Sequence, residues 1–570
     1  MALSWNDAQK AVFDPGSGTP FELMDAEVFG VKMEVFKNAP QSLAHMLQGA
    51  RAHGDKDFIL YEGERFTFAR VMDQVDGLAH ALMEEYGIKK GDRVAVAMRN
   101  FPEWIIAFAA IISVGAINVS FNAWWTEDEM DFALKDCGAK LLIGDDQRID
   151  TAHKSCRELG IRMLVVRPER EPGADVDEWE KMVKSGTSPV LADVQPDDDC
   201  TILYTSGTTG RPKGAVSTHR ALVSSLMAFS ARNAVLGLAA DKDDKMATPS
   251  EHPTSFILIV PLFHVTGCVP VMLSCFFAGL KLVIMYKWDA GKALPIIQDE
   301  RITNFVGVPT QSWDLVNHPD FDKYDTSSLK AVGGGGAPAP AALVEKVAKS
   351  VKSGGPQLGY GMTETNAFGP GNLGKFYLER PTSTGRVNRP MELAVWDPAT
   401  KKPLGPNEYG EIMMFGPMLI RGYWNRPDAT AETIENGWLH TGDGGYIDDE
   451  GFLFIKDRIK DMILRGGENV FCSEVEGAIY EHPAVHEAAV FGVPHERLGE
   501  EVAVAIKPND GVPFNAEELW KFLDGKISSF KVPNHVVLMN EPLPRNAAGK
   551  FLKTALRDGV ANGSLKPTSR

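Results

Sequence analysis

The stretch Tyr204-Thr-Ser-Gly-Thr-Thr-Gly-Arg-Pro-Lys213-Gly214 organises the rest of the chain. It follows a short apolar run, Cys200-Thr-Ile-Leu, which predicts a buried strand. A helical pattern opens near Thr218. Glycine lets backbone N–H groups curl round an anion, hydroxyls add donors, and lysine adds a point charge. Thr205, Ser206, Gly207, Thr208, Thr209 and Lys213 therefore have the composition of a phosphate cradle. It is not a Walker loop, because no Gly-Lys-Ser/Thr triplet closes it. The plain alternative is a polar turn joining a strand to a helix.

At 570 residues the chain is too long for one ordinary domain. Its 44% hydrophobic content suits a large core, and its net charge of −17 with no long basic run argues against nucleic acid or an anionic membrane as partner. Six cysteines show no CxxC pair, so free thiols in a reducing compartment, and a cytoplasmic location, are expected. Cys268 and Cys275 read as core rather than nucleophile. The start Met1-Ala-Leu-Ser-Trp-Asn-Asp has neither a basic nor an apolar segment, so no signal peptide is expected. Residues 254–280 carry no Asp, Glu, Lys or Arg, but prolines, Gly267 and His264 break them into pieces, predicting buried strands and a helix rather than a membrane span.

Strand and helix patterns alternate along the first half of the chain. A hairpin over residues 61–68 leads into a helix over 68–86, a strand over 91–98, and an apolar helix over 104–115. Thr126-Glu-Asp-Glu129 is a capping box opening the next helix, and residues 140–144 form a further strand. This alternation predicts an α/β fold: a large N-terminal domain of α/β sheets with helices on both faces. The proline- and charge-rich run 167–199 reads as surface connection. Residues 257–264 predict a buried strand ended by His264, a position where packing and chemistry are both open readings. Residues 329–338 run from a strand into four glycines, where something flat or long could lie against backbone. Residues 369–375 have Walker spacing, but Phe376 stands where a Ser/Thr would bind magnesium. In the tail, Ser473-Glu-Val-Glu476 has capping-box spacing, strands are expected over 487–493 and 502–506, and Asn515-Ala-Glu-Glu518 opens a helix. The tail reads as a separate α+β domain of about a hundred residues.

The opening stretch resembles the signature loop of the adenylate-forming superfamily, which includes acyl-CoA synthetases, firefly luciferase and the adenylation domains of peptide synthetases. Four more motifs resemble that family's, in its order: Leu358-Gly-Tyr-Gly-Met-Thr-Glu364, Gly437-Trp-Leu-His-Thr-Gly-Asp443, Asp457-Arg458, and Gly549-Lys550. The resemblance spans about residues 40–555 and is strongest to a bacterial fatty acyl-CoA synthetase. It implies domains over 1–456 and 457–570, with Asp457 as the hinge of a small mobile C-terminal domain. It also implies that Gly335, Ala337, Pro338, Gly359, Tyr360, Gly361, Met362 and Thr363 line the ATP/AMP site, with Tyr360 stacked on adenine and Thr363 touching phosphate. Glu364 would hold Mg²⁺, with Thr205 reaching it through phosphate or water. Asp443 would take the ribose hydroxyls, and Arg458 the ribose and phosphate. Lys550 would bridge the carboxylate and the α-phosphate. The catalytic set is then Lys550, Thr205, Glu364 and His264. His264, Val265, Gly267, Val308, Gly333, Gly334 and Met362 would line the acyl pocket, and Gly466, Gly467 and Glu468 the path of the CoA arm. Many members carry Gln or Asn just before Gly-Tyr-Gly, whereas this chain has Leu358, with Gln357 one place earlier.

The expected reaction joins a carboxylate to the α-phosphorus of ATP, releases pyrophosphate, and passes the acyl group to CoA. No covalent enzyme nucleophile is needed; positioning and charge neutralisation suffice. The expected acid is a medium- or long-chain fatty acid, with a cinnamate-type or other aryl acid as the alternative. A carrier-loading or luciferase-like adenylating enzyme is a third reading, and no carrier-type serine motif follows Lys550. ATP, Mg²⁺ and CoA are the expected cofactor and co-substrates. Partners are small molecules; neither nucleic acid nor a transmembrane segment is expected, and a homodimer is an open alternative.

Overall fold

The computed structural model describes residues 2–205, 211–240, 244–246, 248–337, 339–545 and 551–570. Two eight-stranded sheets dominate the N-terminal part. In the first, Asp199–Thr205, Ile117–Ser120, Arg93–Ala97, Leu141–Asp145, Arg162–Val166 and Val176–Glu178 run parallel side by side. In the second, Gly355–Gly359, Ala331–Gly335, Asn304–Gly307, Ser255–Leu258, Lys281–Ile284 and Asp57–Tyr61 do the same, and both edges are closed by antiparallel strands. A five-stranded antiparallel sheet follows, then a six-stranded sheet in the tail. The α/β expectation for the large domain and the α+β expectation for the small one both hold.

One continuous core joins the two large sheets through helices that are apolar on every side. Helix Pro102–Ser113 is buried along its whole length, as expected of a helix without a polar face. Helix His219–Ala239 is the one described helix long and apolar enough to cross a membrane, with mean hydropathy 1.4, and most of it is buried inside this core. The expected helix over 68–86 is Phe68–Glu84, and Thr126 closes its capping box with Glu129 as read. No buried member of the large core lies beyond Leu453, and the buried clusters of the tail begin at Ile463.

Four local expectations change. The signature loop does not join a strand to a helix. Lys213–Thr218 is itself a strand, antiparallel to Asp199–Thr205, with Thr205 and Lys213 in register. Thr218 caps the helix only after that strand, accepting from the Ala221 N–H at 3.2 Å. The strand before His264 ends at Leu258, and His264 sits in a bend whose carbonyl accepts the Gly267 and Cys268 N–H groups. A π-helix, Gly267–Leu273, follows; Pro270 lies inside it and has no N–H for a regular ladder. The run 167–199 contains the edge strand Val176–Glu178 and the helical turn Trp179–Met182. Ser473 and Glu476 form no capping box. Helix Cys472–Tyr480 is preceded by Phe471, Ser473 Oγ donates to the Lys456 carbonyl, and Glu476 pairs with Lys553 at 2.8 Å.

His219 gives the fold a pH dependence. Its ring is fully buried and neither nitrogen has a hydrogen-bond partner among the described residues. Burial pushes its pKa down to about 4 from 6.5. Between those values the unfolded chain holds more protons than the folded one, so stability is lost as pH falls through that window. The loss approaches ~3 kcal/mol at about 1.4 kcal/mol per unit. His219→Leu is expected to flatten the decline of the urea midpoint between pH 6.5 and 4; a decline as steep as in the parent protein would place its source elsewhere.

Candidate active site

The site forms where the paired strands Asp199–Thr205 and Lys213–Thr218, the loop after strand Gly355–Gly359, and the antiparallel sheet meet. Thr205 and Lys213 are the last register partners of the two strands, at the end next to the signature loop. Lys213 Nζ lies 5.3 Å from the centre of the Tyr423 ring, and the Tyr423 hydroxyl donates to Glu364 Oε1 at 2.7 Å. Burial raises the Tyr423 pKa, which keeps it a donor, and Glu364 is itself buried. Lys213, Tyr423 and Glu364 thus come from three segments far apart in the chain. One carboxylate oxygen of Glu364 is held by a phenol. The other is a hard oxygen donor of the kind Mg²⁺ takes, alongside phosphate oxygens. Among the described residues no three His, Cys, Asp or Glu side chains gather as a metal cage, so a cation here would rely on its ligand's phosphates.

The second half of the site is a hydrogen-bonded triad around the buried Asp443. Tyr360 donates its hydroxyl to Asp443 Oδ2, and Arg458 Nε donates to Asp443 Oδ1 at 2.9 Å. Asp443 and Arg458 face each other in register on Trp438–Ile447 and Leu453–Arg458. Asp443 therefore sits within a strand, not in a turn. Burial, then the charge of Asp443, raise the Tyr360 pKa well above that of a free phenol. For Arg458, burial works to lower the pKa and the neighbouring Asp443 outweighs it. Each oxygen of Asp443 keeps a lone pair for a further donor.

Two residues that the sequence does not single out hold the loop between these halves. Asn366, at φ 49°, accepts from Ser217 Oγ at 2.8 Å and donates to the Met418 carbonyl at 2.9 Å; its own carbonyl accepts from Ser225 Oγ. Arg232, buried in helix His219–Ala239, donates to the Gly369 carbonyl and lies over the Phe368 ring. The neighbouring Pro370 carbonyl takes the Tyr360 N–H at 2.9 Å. A lone Arg in an apolar helical run is the only signal that could have pointed here.

The glycine run serves the sheet. A Cβ on Gly333 would overlap the Gln357 carbonyl, and one on Gly334 the Gly307 carbonyl; on Gly335 it would come within 2.5 Å of the Gly359 carbonyl. Neighbouring backbone by itself excludes side chains from these three positions. Gly334→Ala is therefore expected to cost about 1–3 kcal/mol of stability or more, read as a lower melting temperature, with no graded change in chain-length preference. A variant of unchanged stability and shorter preferred acid would show instead that the added side chain enters the acyl pocket. Gly267 is similarly forced, because its Cβ would overlap the Pro261 carbonyl. His264 Nδ1 accepts from the Thr266 N–H at 3.3 Å, and Val265 is buried. Val308 leads the helix Pro309–Asn317, and its N–H is capped by Gln311 Oε1 at 2.9 Å.

Gly466 and Gly467, at φ 61° and 92°, form the two-residue turn between Ile463–Arg465 and Glu468–Val470. Positive φ at both positions is the requirement of a type I′ hairpin, so glycine has a structural reason here. Asp457 accepts the backbone N–H of Arg458 at 2.8 Å and that of Cys472, so it caps the helix Cys472–Tyr480 that lacks a cap of its own. Burial raises the Asp457 pKa, and Lys553 opposes that rise. Ser206, Gly207, Thr208, Thr209, Pro338 and Lys550 lie outside the described residues.

Residues 47–424 match the AMP-binding enzyme family, and residues 474–550 match the AMP-binding enzyme C-terminal domain; the chain belongs to this family. Within it, the chain is an AMP-forming acyl-CoA ligase. It is 32% identical over 530 residues to a long-chain-fatty-acid–CoA ligase of Bacillus subtilis (strain 168), covering 88% of this chain and 91% of that one. A feruloyl-CoA synthase of Amycolatopsis sp. is 33% identical over 500 residues, covering 88% and 95%. The solved o-succinylbenzoate CoA synthetase of Bacillus subtilis, in complex with its acyl-adenylate intermediate OSB-AMP, superposes with a TM-score of 0.76 at 28% identity over 91% of this chain and 98% of that one.

Proposed function

We propose that this enzyme activates a medium- or long-chain aliphatic carboxylic acid with ATP and Mg²⁺, and transfers the acyl group to CoA. The observation that carries the adenylation chemistry is the convergence of Lys213, Tyr423 and Glu364 beside the Tyr360–Asp443–Arg458 triad. The signature-loop hydroxyls and Lys213 hold the leaving pyrophosphate, Tyr360 stacks on adenine, and Asp443 takes the ribose hydroxyls. Thr363 and Arg458 contact phosphate and ribose. Mg²⁺ held by Glu364 supplies charge neutralisation at the phosphates. Lys550, on the C-terminal domain beyond a boundary at Asp457, faces the α-phosphate in the first half-reaction. Rotation about Asp457 then brings Gly466, Gly467 and Glu468 to the CoA arm.

His264, Val265, Val308 and Met362 line the acyl side, and none of them offers a fixed charge to a second carboxylate. A dicarboxylate would have to desolvate that charge unpaired, whereas each CH₂ buried gains about 0.8 kcal/mol. The relationship to a long-chain-fatty-acid–CoA ligase supports the aliphatic choice. The equal relationship to a feruloyl-CoA synthase supports an aryl acid as the second reading. The test is a panel of straight-chain acids from about two to sixteen carbons, benzoate and ferulate, with ATP, Mg²⁺ and CoA. AMP and pyrophosphate are the expected products, with kcat/KM rising about three- to fourfold per CH₂ until the pocket is full. A flat aliphatic profile with faster turnover of ferulate would replace this reading by the aryl one.

A further inference from the structure

Asp443 stands on an irregularity of the antiparallel sheet, and two side chains outside the Tyr360–Asp443–Arg458 triad hold that irregularity in place. Strands Gly410–Phe415 and Trp438–Ile447 pair with Glu411 opposite Gly444 and Met413 opposite His440. Ile412 alone therefore faces three residues, Thr441, Gly442 and Asp443. Extra residues on one strand interrupt the ladder, bend the strand and re-aim a side chain. Gly442, at φ 69°, takes the left-handed conformation that suits glycine.

The bulge is anchored on both sides. Glu411 Oε1 accepts the Gly442 N–H at 3.1 Å, and the Gly442 carbonyl accepts the Ile459 N–H at 3.0 Å. Thr441 Oγ1 donates to the Ile412 carbonyl at 2.7 Å and accepts the Asp443 N–H at 3.1 Å. Ile459 follows Arg458, so the segments carrying Asp443 and Arg458 are both tied to Gly442. Among these anchors only Glu411 is a side chain from a neighbouring strand. Its own orientation is fixed in turn. Glu411 Oε2 lies 2.9 Å from His440 Nδ1, and a carboxylate accepts, so the ring donates. Trp396 stands edge-on to the His440 ring at 6.3 Å, and Glu435 lies 3.4 Å from Nε2. The Glu411 and His440 side chains are only 14% and 18% exposed, so water competes little for the bond between them.

We propose that Glu411, oriented by His440, is a positioning residue that fixes the Gly442 bulge and so aims the Asp443 carboxylate at the ribose hydroxyls of ATP. The inference rests on the ribose reading of Asp443 given above. The test is calorimetric binding of ATP and of 2′,3′-dideoxy-ATP to the full chain, with Mg²⁺ and without acid, so that no adenylate forms. The parent protein should bind ATP about ten- to a hundredfold tighter than the dideoxy analogue, as expected of hydrogen bonds to a charged group. In Glu411→Ala that ratio should shrink by about tenfold, through weaker binding of ATP alone. Glu411→Gln keeps an acceptor for the Gly442 N–H and should restore most of the ratio. His440→Phe keeps a flat ring beside Trp396 but has no donor for Glu411, and its ratio should fall between those of the parent and Glu411→Ala. A ratio unchanged in Glu411→Ala, even with both nucleotides bound more weakly, overturns the inference and leaves the ribose reading of Asp443 intact. If Glu411→Ala does not fold, the ratio in His440→Phe decides in the same way. A parent protein that binds both nucleotides equally would remove the ribose reading itself, and this inference with it.

Discussion

Lys550→Ala is expected to slow acyl-adenylate formation by about 10²–10³-fold, the usual cost of removing one preorganised group aimed at transition-state charge. The charge on the α-phosphorane develops only in the first half-reaction, so thioester formation from supplied acyl-adenylate and CoA should be largely retained. Gly467→Leu should show the reverse pattern if the thin CoA arm passes the turn at Gly466 and Gly467. The turn itself complicates that variant, because Gly467 has φ 92° and any L side chain there is strained. No atom lies within 4 Å of where its Cβ would sit, so the side chain meets no clash in this conformation. Gly467→Ala carries the same backbone strain without the bulk and serves as the control. The expected order is wild type and Gly467→Ala close together in thioester formation, with Gly467→Leu far below. Equal loss of both half-reactions in Lys550→Ala and Gly467→Leu would sink the two-conformation mechanism.

Glu364→Gln is expected to have the next largest effect. It keeps the shape and the acceptor for the Tyr423 hydroxyl but removes the charge that would hold Mg²⁺. Adenylation should drop by about 10²-fold or more, and the Mg²⁺ concentration for half-maximal rate should rise. Tyr423→Phe leaves the carboxylate charge in place and removes only the group that orients it, 2.7 Å away. Such outer partners of metal ligands typically contribute about 10–100-fold, so its loss should be smaller and in the same Mg²⁺-dependent direction. The double variant should lose little more than Glu364→Gln alone, since Tyr423 acts through Glu364. Additive losses, or an unchanged Mg²⁺ dependence in Glu364→Gln, would make Glu364 a structural acid instead.

Much of this protein is written in local patterns. Alternating strand and helix periodicities, the Thr126–Glu129 box, the Asn515 cap and the order of the five motifs were enough for the α/β class, the separate α+β tail and the adenylating chemistry. These are short-range signals, set by side-chain period and by bonds between residues three or four apart. The tertiary structure decided what depends on register and close approach. It set a second strand after the signature stretch, because Lys213–Thr218 pairs antiparallel with Asp199–Thr205 before any helix begins. It assigned the glycine run to sheet packing, because the carbonyls of Gln357, Gly307 and Gly359 occupy the space a side chain would need. It brought Tyr423 to Glu364, Asn366 to Ser217 and Arg232 to Gly369, across separations for which the sequence has no period. A hydrogen bond of that kind is selected by where two elements pack, and only folding brings its two ends together.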